Sequence, residues 1–203
     1  MQEHNKASAW FEELYKQNEN THENIPWAKL TVNPLLQTYL DTKKEHKGKA
    51  LVIGCGLGDD AYALSKAGYE TLAIDISQTA LDIAEKRFVG TAIVYEKQDI
   101  FDMPKKYFEY FDFVFEALTI QSLPREFREK MIKAVADSVA KNGELLVVAH
   151  KKELVDGGPP WPLTQVEIDH FKSNGVQQMS FELIKEASHI SNTRFRILYK
   201  KMA

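Results

Sequence analysis

Residues 50–77, ALVIGCGLGDDAYALSKAGYETLAIDIS, admit few folds. An apolar run enters a turn with glycine at Gly54, Gly56 and Gly58, a helix-period segment follows, and a second apolar run ends on Asp75. Strand, glycine turn, helix and second strand form a βαβ unit, which implies a parallel sheet with helices on both faces.

The same grammar continues along the chain. ALVIG, ETLAIDI, AIVYEKQDI, FDFVFEAL and GELLVVAH read as strands. Between them, QTALDIAEKRF puts Ala80, Leu81, Ala84 and Phe88 on one face of a helix, and FREKMIKAVADSVA does the same with Phe127, Met131, Ile132, Val135 and Val139. Beyond His150 come a turn-rich piece, KKELVDGGPPWPLT, a helix, TQVEIDHFKSN, and two strands, QQMSFELIKEAS and TRFRILYKK. Two strands so close in sequence predict an antiparallel finish to the sheet. Residues 1–48 are polar and aromatic with no strand-like run and read as a helical cap, with short helices near 9–16 and 34–41 separated by prolines. The run KKEHKGK reads as a solvated linker into the first strand.

A length of 203 residues suits one domain, 1–203, made of a cap over 1–48 and an α/β core over 49–203. The net charge of −3 offers no basic field for a polyanion, so no nucleic acid partner is expected. One cysteine makes no internal disulfide, the start MQEHNKAS lacks the layout of a secretory signal, and no apolar run is long enough for a bilayer. The expectation is a cytoplasmic protein, monomer or weak dimer, with no membrane partner. The six histidines show no paired ligand spacing, so no metal is expected.

In an open α/β sheet the glycine turn after the first strand is where ligands bind. A dinucleotide fingerprint would place its third glycine at position 59, where Asp59 stands, followed by Asp60. Two carboxylates oppose a pyrophosphate, whether they compensate the helix dipole or touch a ligand. Asp75 ends the second strand, where a carboxylate accepts the hydroxyls of a ribose diol; Asp99 follows the third strand and Glu116 ends the fourth. So many carboxylates favour an adenosine without phosphates that carries positive charge, and S-adenosylmethionine has that chemistry.

The residues also resemble a family. VIGCGLGDDAYAL, LAIDIS, QDIF and FDFVFEAL resemble the successive motifs of class I S-adenosylmethionine-dependent methyltransferases. The resemblance implies a Rossmann-like seven-stranded sheet, mostly parallel with an antiparallel last strand. It also implies that Gly54, Cys55 and Gly56 contact the methionine end, Asp75 the ribose, Ile76 the adenine face, and Asp99 with Ile100 the adenine, with Glu116 near the methionine end or the acceptor. Ile76 also fits a plain core role. WFEELY followed by IPW resembles the Trp-x-x-x-Tyr and Pro-Trp elements of the thiopurine, thiol and tellurite methyltransferase group, where a cap closes over the cofactor. That match puts Trp27 against the cofactor and Trp10 beside the acceptor. Ala28 and Lys29 depart from the group's usual acidic residue and nearby glycine.

The expected activity is methyl transfer from S-adenosylmethionine to a small-molecule acceptor, a thiol or other soft nucleophile, releasing S-adenosylhomocysteine. Trp161 is either an aromatic lid or a packing plug, and His150, at the end of the fifth strand, faces the crevice as a structural group rather than a base. No general base is evident, which a thiol with an unperturbed pKa of about 8.5 tolerates. Cys55 has no histidine placed by sequence to activate it as a nucleophile. The competing functions are a non-catalytic cofactor-binding regulator and an NAD(P)-dependent oxidoreductase, the latter disfavoured by Asp59.

Overall fold

The computed structural model describes residues 3–19, 21, 24–42, 45–151, 159–185 and 193–203, with side chains from Ser8 onward. The chain divides into two compact units, Met1–Asp102 and Met103–Ala203. The first carries α1 (Glu3–Gln17), α2 (Pro34–Leu40), β1 (Lys49–Ile53), α3 (Asp59–Ala67), β2 (Glu70–Asp75), α4 (Gln78–Arg87) and β3 (Val94–Lys97). The second carries β4 (Phe111–Ala117), α5 (Arg128–Ser138), β5 (Val139–His150), α6 (Gln165–Asp169), β6 (Val176–Lys185) and β7 (Thr193–Lys201). The seven strands have the order β3-β2-β1-β4-β5-β7-β6.

In the first unit β1 and β2 run parallel from Lys49↔Glu70 to Ile53↔Ile74, and β2 continues parallel onto β3 through Asp75↔Lys97. Ala50, Leu51, Val52 and Ile53 are all buried, as an apolar run covered on both faces demands. In the second unit β4 and β5 are parallel, β7 runs antiparallel to β5, and β6 pairs antiparallel with β7. The sequence therefore predicted the architecture: a mixed sheet, parallel except for the last strand, with helices between.

Local chemistry sets the ends of the helices. Asn33 caps α2 by accepting the Leu35 N–H, Ser77 caps α4 by accepting the Ala80 N–H, and Thr164 with Glu167 forms a capping box on α6. Several boundaries differ from expectation. The first helix begins at Glu3, before the expected 9. The third strand is shorter than AIVYEKQDI, because Ile100–Asp102 turns into a 3-10 helix. Helix α5 stops at Ser138 and β5 takes over at Val139, with Asn142 at φ 64° and a register shift against β4 between Phe111 and Phe113. TQVEIDHFKSN divides into α6 and a 3-10 turn, Lys172–Asn174. Within the presumed solvated linker, His46 is buried, with Nε2 at 2.8 Å from the Leu40 carbonyl and Nδ1 at 3.2 Å from the Tyr69 hydroxyl. Lys43 and Lys44 of that linker, residues 152–158 of the turn-rich piece, and the tail of QQMSFELIKEAS lie outside the described residues.

Candidate active site

The turn between β1 and α3 is built on left-handed glycines: φ is 61° at Gly54, 51° at Gly56 and 86° at Gly58. A Cβ on Gly56 would lie 3.0 Å from the Tyr15 hydroxyl. The Gly56 N–H donates to Asp75 Oδ2 and the Ser77 N–H to Asp75 Oδ1, each at 2.9 Å. Burial raises the Asp75 carboxyl above its ordinary range, opposed by the N–H groups of Ser77, Gly56 and Ile76. A carboxylate offers about four lone-pair positions, so these contacts leave acceptor capacity for a ligand hydroxyl.

Below the turn stands α4. Arg87 donates from Nη1 and Nη2 to the Asp59 carboxylate, at 2.7 and 2.8 Å, and from Nη1 to the Leu57 carbonyl. Asp60 accepts the Asn33 N–H at 2.7 Å, and burial, with Asp59 adding to it, pushes its carboxyl up to about 6 against that hydrogen bond. Asp59 and Asp60 thus both serve protein groups in the first turn of α3. Because Arg87 neutralises Asp59, that charge weighs less against a pyrophosphate than the sequence implied.

Helix α1 covers the turn. Tyr15 is 2% exposed, and its hydroxyl accepts the Trp27 indole N–H at 2.8 Å. Burial raises its pKa first, with Asp75 and Cys55 adding to the shift, so Tyr15 stays neutral. Trp10 stacks on Phe11 at 3.9 Å between ring centroids and meets Trp27 edge-on at 5.8 Å, while remaining 37% exposed. Phe11 and Tyr15 meet the same Trp27 ring at 5.5 and 6.0 Å. Trp10 stands five positions before Tyr15; the residue four before it, on the same helical face, is Phe11. Glu12, on the next face, accepts the Ser77 hydroxyl at 2.7 Å, the Thr79 hydroxyl at 2.9 Å and the Thr79 N–H at 3.3 Å. Partial burial alone would raise the Glu12 carboxyl, but those bonds and Lys16 hold it at about 2. Neither Glu12 nor Arg87 was evident in the sequence, for their partners lie far along the chain.

The remaining residues predicted for the site occupy distinct places. Cys55 is buried and its thiol is pushed well up by burial and by Asp75, which makes it inert as a nucleophile. Ile76 is half-buried beside Asp75. The Gln98 N–H donates to the Asp75 carbonyl at 3.1 Å, and the next residue, Asp99, accepts the Phe101 N–H at 2.9 Å in the turn that buries Ile100. The first unit therefore gathers Trp10, Trp27, Gly54, Cys55, Gly56, Asp75 and the Asp99 turn. In the second unit, Glu116, next to last in β4, accepts the N–H groups of Thr119 and Ile120 with Oε1. Gln121, which the sequence did not single out, accepts the His150 N–H with its side chain and the Trp161 N–H with its carbonyl, each at 2.7 Å. Arg128 donates to the Trp161 carbonyl and to Glu167. Among the described residues no group of three or more His, Cys, Asp and Glu is placed to hold a metal, and no helix is long and apolar enough to cross a membrane.

The sequence model of the thiopurine S-methyltransferase family matches residues 13–197. The chain belongs to that family. Thiocyanate methyltransferase 1 of Brassica oleracea is 28% identical over 140 residues, 67% of this chain and 61% of its own length. Its namesake in Arabidopsis thaliana is 27% identical over 154 residues, 74% of this chain and 66% of its own length. The chain thus spans a little under two thirds of these curated relatives. Among solved structures, the Burkholderia thailandensis 1,6-didemethyltoxoflavin N1-methyltransferase with bound S-adenosylhomocysteine superposes with a TM-score of 0.75, covering 100% of this chain and 92% of its own at 9% identity. At that identity the likeness speaks for the fold alone. The family, by its name and its curated relatives, is one of methyltransferases.

Proposed function

We propose that this protein transfers the methyl group of S-adenosylmethionine to a small soft acceptor, a thiol first. The observation that carries the reading is the Asp75 carboxylate, buried at the end of β2, fixed by the Gly56 and Ser77 N–H groups and still holding free acceptor positions beside a left-handed glycine turn. That arrangement fits an adenosine with an unmodified ribose diol. Gly54, Cys55 and Gly56 would hold the methionine end, Asp75 the ribose, Ile76, Asp99 and Ile100 the adenine, and Trp27 would close over them from the cap. Trp10, edge-on to Trp27 in the cap, is offered for the acceptor side. When bound, the cofactor supplies an electrophilic methyl group, and the chain's part is to orient it and keep water out. Membership in a family whose curated relatives include thiocyanate and thiol methyltransferases supports a sulfur acceptor.

Calorimetry with S-adenosylhomocysteine and with NAD tests the cradle. Wild type binds the former and not the latter, and Asp75→Ala loses about 1.5–3 kcal/mol of that affinity, the scale of charged hydrogen bonds. Unchanged affinity in a folded variant removes Asp75 from the ribose site. Methyl transfer is then assayed on small thiols, thiocyanate, phenols and amines; tight cofactor binding without turnover on any of them would reveal a non-catalytic binder.

A further inference from the structure

At the amino end of β4 the second unit turns apolar side chains outward. Phe108 is 59% exposed, Met202 56% and Tyr110 38%. Single exposed apolar residues are ordinary, but these belong to one linked cluster. Tyr110 meets the Tyr107 and Phe111 rings at 5.6 and 5.1 Å between centroids, and the ammonium of Lys201, one residue before Met202, stands 5.6 Å from the Phe108 ring. The backbone holds them there. Glu109, between Phe108 and Tyr110, has φ 49°, a left-handed conformation that residues with side chains disfavour. Its N–H is tied to the Asp137 carbonyl at 2.7 Å, and the Tyr110 N–H to the Ser138 carbonyl at 3.1 Å. Strain on a surface turn that keeps two aromatic rings in water points to a use for them.

The charges around the cluster leave one sign over. Lys201 is paired with Glu109 at 3.2 Å and Lys133 with Asp137 at 2.6 Å, and Asp112, exposed beside Phe111, already has a partner. Lys105, Lys106 and Lys141 are exposed and form no ion pair among the described residues. Lys105 and Lys106 open the turn that carries Phe108, with the Lys106 ammonium 4.5 Å from the Tyr107 ring. Lys141 lies on the turn closed by Gly143, where a Cβ would stand 2.8 Å from the Phe111 carbonyl.

We infer that this end of the protein docks on an anionic lipid surface. Phe108 and Met202 enter the boundary between headgroups and acyl chains, and Tyr110 keeps its hydroxyl at headgroup level. Lys105, Lys106 and Lys141 lay their stems along the apolar surface and put their ammonium groups on lipid phosphates or carboxylates. The free cations set the sign of the partner, and they oppose a second copy of the chain, which would bring the same lysines face to face. The rings stand out from a turn, which suits the yielding surface of a bilayer better than a peptide that needs a groove. The expectation of no membrane partner rested on the lack of a spanning run, which a docking surface does not need, and a whole-chain charge of −3 hides a local patch.

The test is co-sedimentation of the full chain with vesicles of phosphatidylcholine alone and of phosphatidylcholine with about one third phosphatidylserine, at low and at physiological salt. Wild type partitions onto the anionic vesicles about tenfold or more above the neutral ones, and added salt weakens the binding. Lys105→Gln combined with Lys106→Gln, and separately Phe108→Ser, each lower that partition by about tenfold, with urea midpoints like that of wild type. No preference for anionic vesicles, or undiminished binding by either variant, overturns the proposal. Sedimentation equilibrium without lipid supplies the rival outcome: a concentration-dependent dimer that Phe108→Ser dissolves would give the face to a second copy and overturn lipid docking.

Discussion

Arg87, the last residue of α4, grips Asp59, the first residue of α3, with both terminal guanidinium nitrogens, at 2.7 and 2.8 Å, and adds a bond to the Leu57 carbonyl inside the glycine turn. The turn is thus held by a planar fork, a geometry lysine does not reproduce. Arg87→Ala should cost about 2 kcal/mol of stability in urea denaturation, the range for hydrogen bonds to a charged group, and Arg87→Lys should recover only part of it. Full recovery by lysine would reduce the contact to a point charge.

Gly58 tests the same clamp from inside. A Cβ there would stand 2.9 Å from both the Ala84 Cβ and the Tyr95 hydroxyl, at a φ of 86°. Gly58→Ala is expected to destabilise by about 3 kcal/mol, overpacking and left-handed strain together. Gly90, also at positive φ but with open space around it, should tolerate alanine at the strain cost alone, so thermal midpoints of the two variants separate packing from conformation.

What was legible in the sequence was local. The apolar run into Gly54, the glycines of the turn and Asp75 at a strand end all lie within one βαβ unit, and each stands where its neighbours implied. Groups joined over long separations were invisible: Glu12 finds Ser77 and Thr79 some 65 and 67 positions away, and Arg87 finds Asp59 at a separation of 28. The β5 boundary was missed because Val139 continues a helical period in sequence, whereas the sheet captures it opposite Phe111. His46 looked like one charge in a basic linker, and only the chain fold places Tyr39 and Tyr69 around it.

Glu12 fastens the cap. Its carboxylate sits at the amino end of α4, where a negative charge is favoured by the helix dipole, and takes three hydrogen bonds there. Glu12→Gln should speed amide hydrogen exchange across α1 and weaken S-adenosylhomocysteine binding, while β1 and β2 amides keep their protection. The same contact gives an acid-side signature. A carboxyl held at about 2 against an ordinary 4.5 adds stability above 4.5 that is lost as pH falls toward 2, and Glu12→Gln should lack that loss. Wild-type exchange in α1 of the variant would show that the aromatic cluster alone holds the cap.

Glu116 gives the opposite sign at neutral pH. Its carboxyl lies near 7 in the folded chain and at 4.5 when unperturbed, so between those values the native state binds the extra proton and stability falls as pH rises. At 1.36 kcal/mol per pH unit, that interval is worth about 3 kcal/mol at most. Glu116→Gln carries no charge to bury, so its stability relative to wild type should climb by up to that amount between pH 4.5 and 8. Asp60, raised to about 6, contributes with the same sign in both proteins and cancels in the difference. Urea titrations of the pair at four or five pH values measure it directly. A difference that stays flat with pH would mean that Glu116 ionises as readily in the native chain as in the unfolded one.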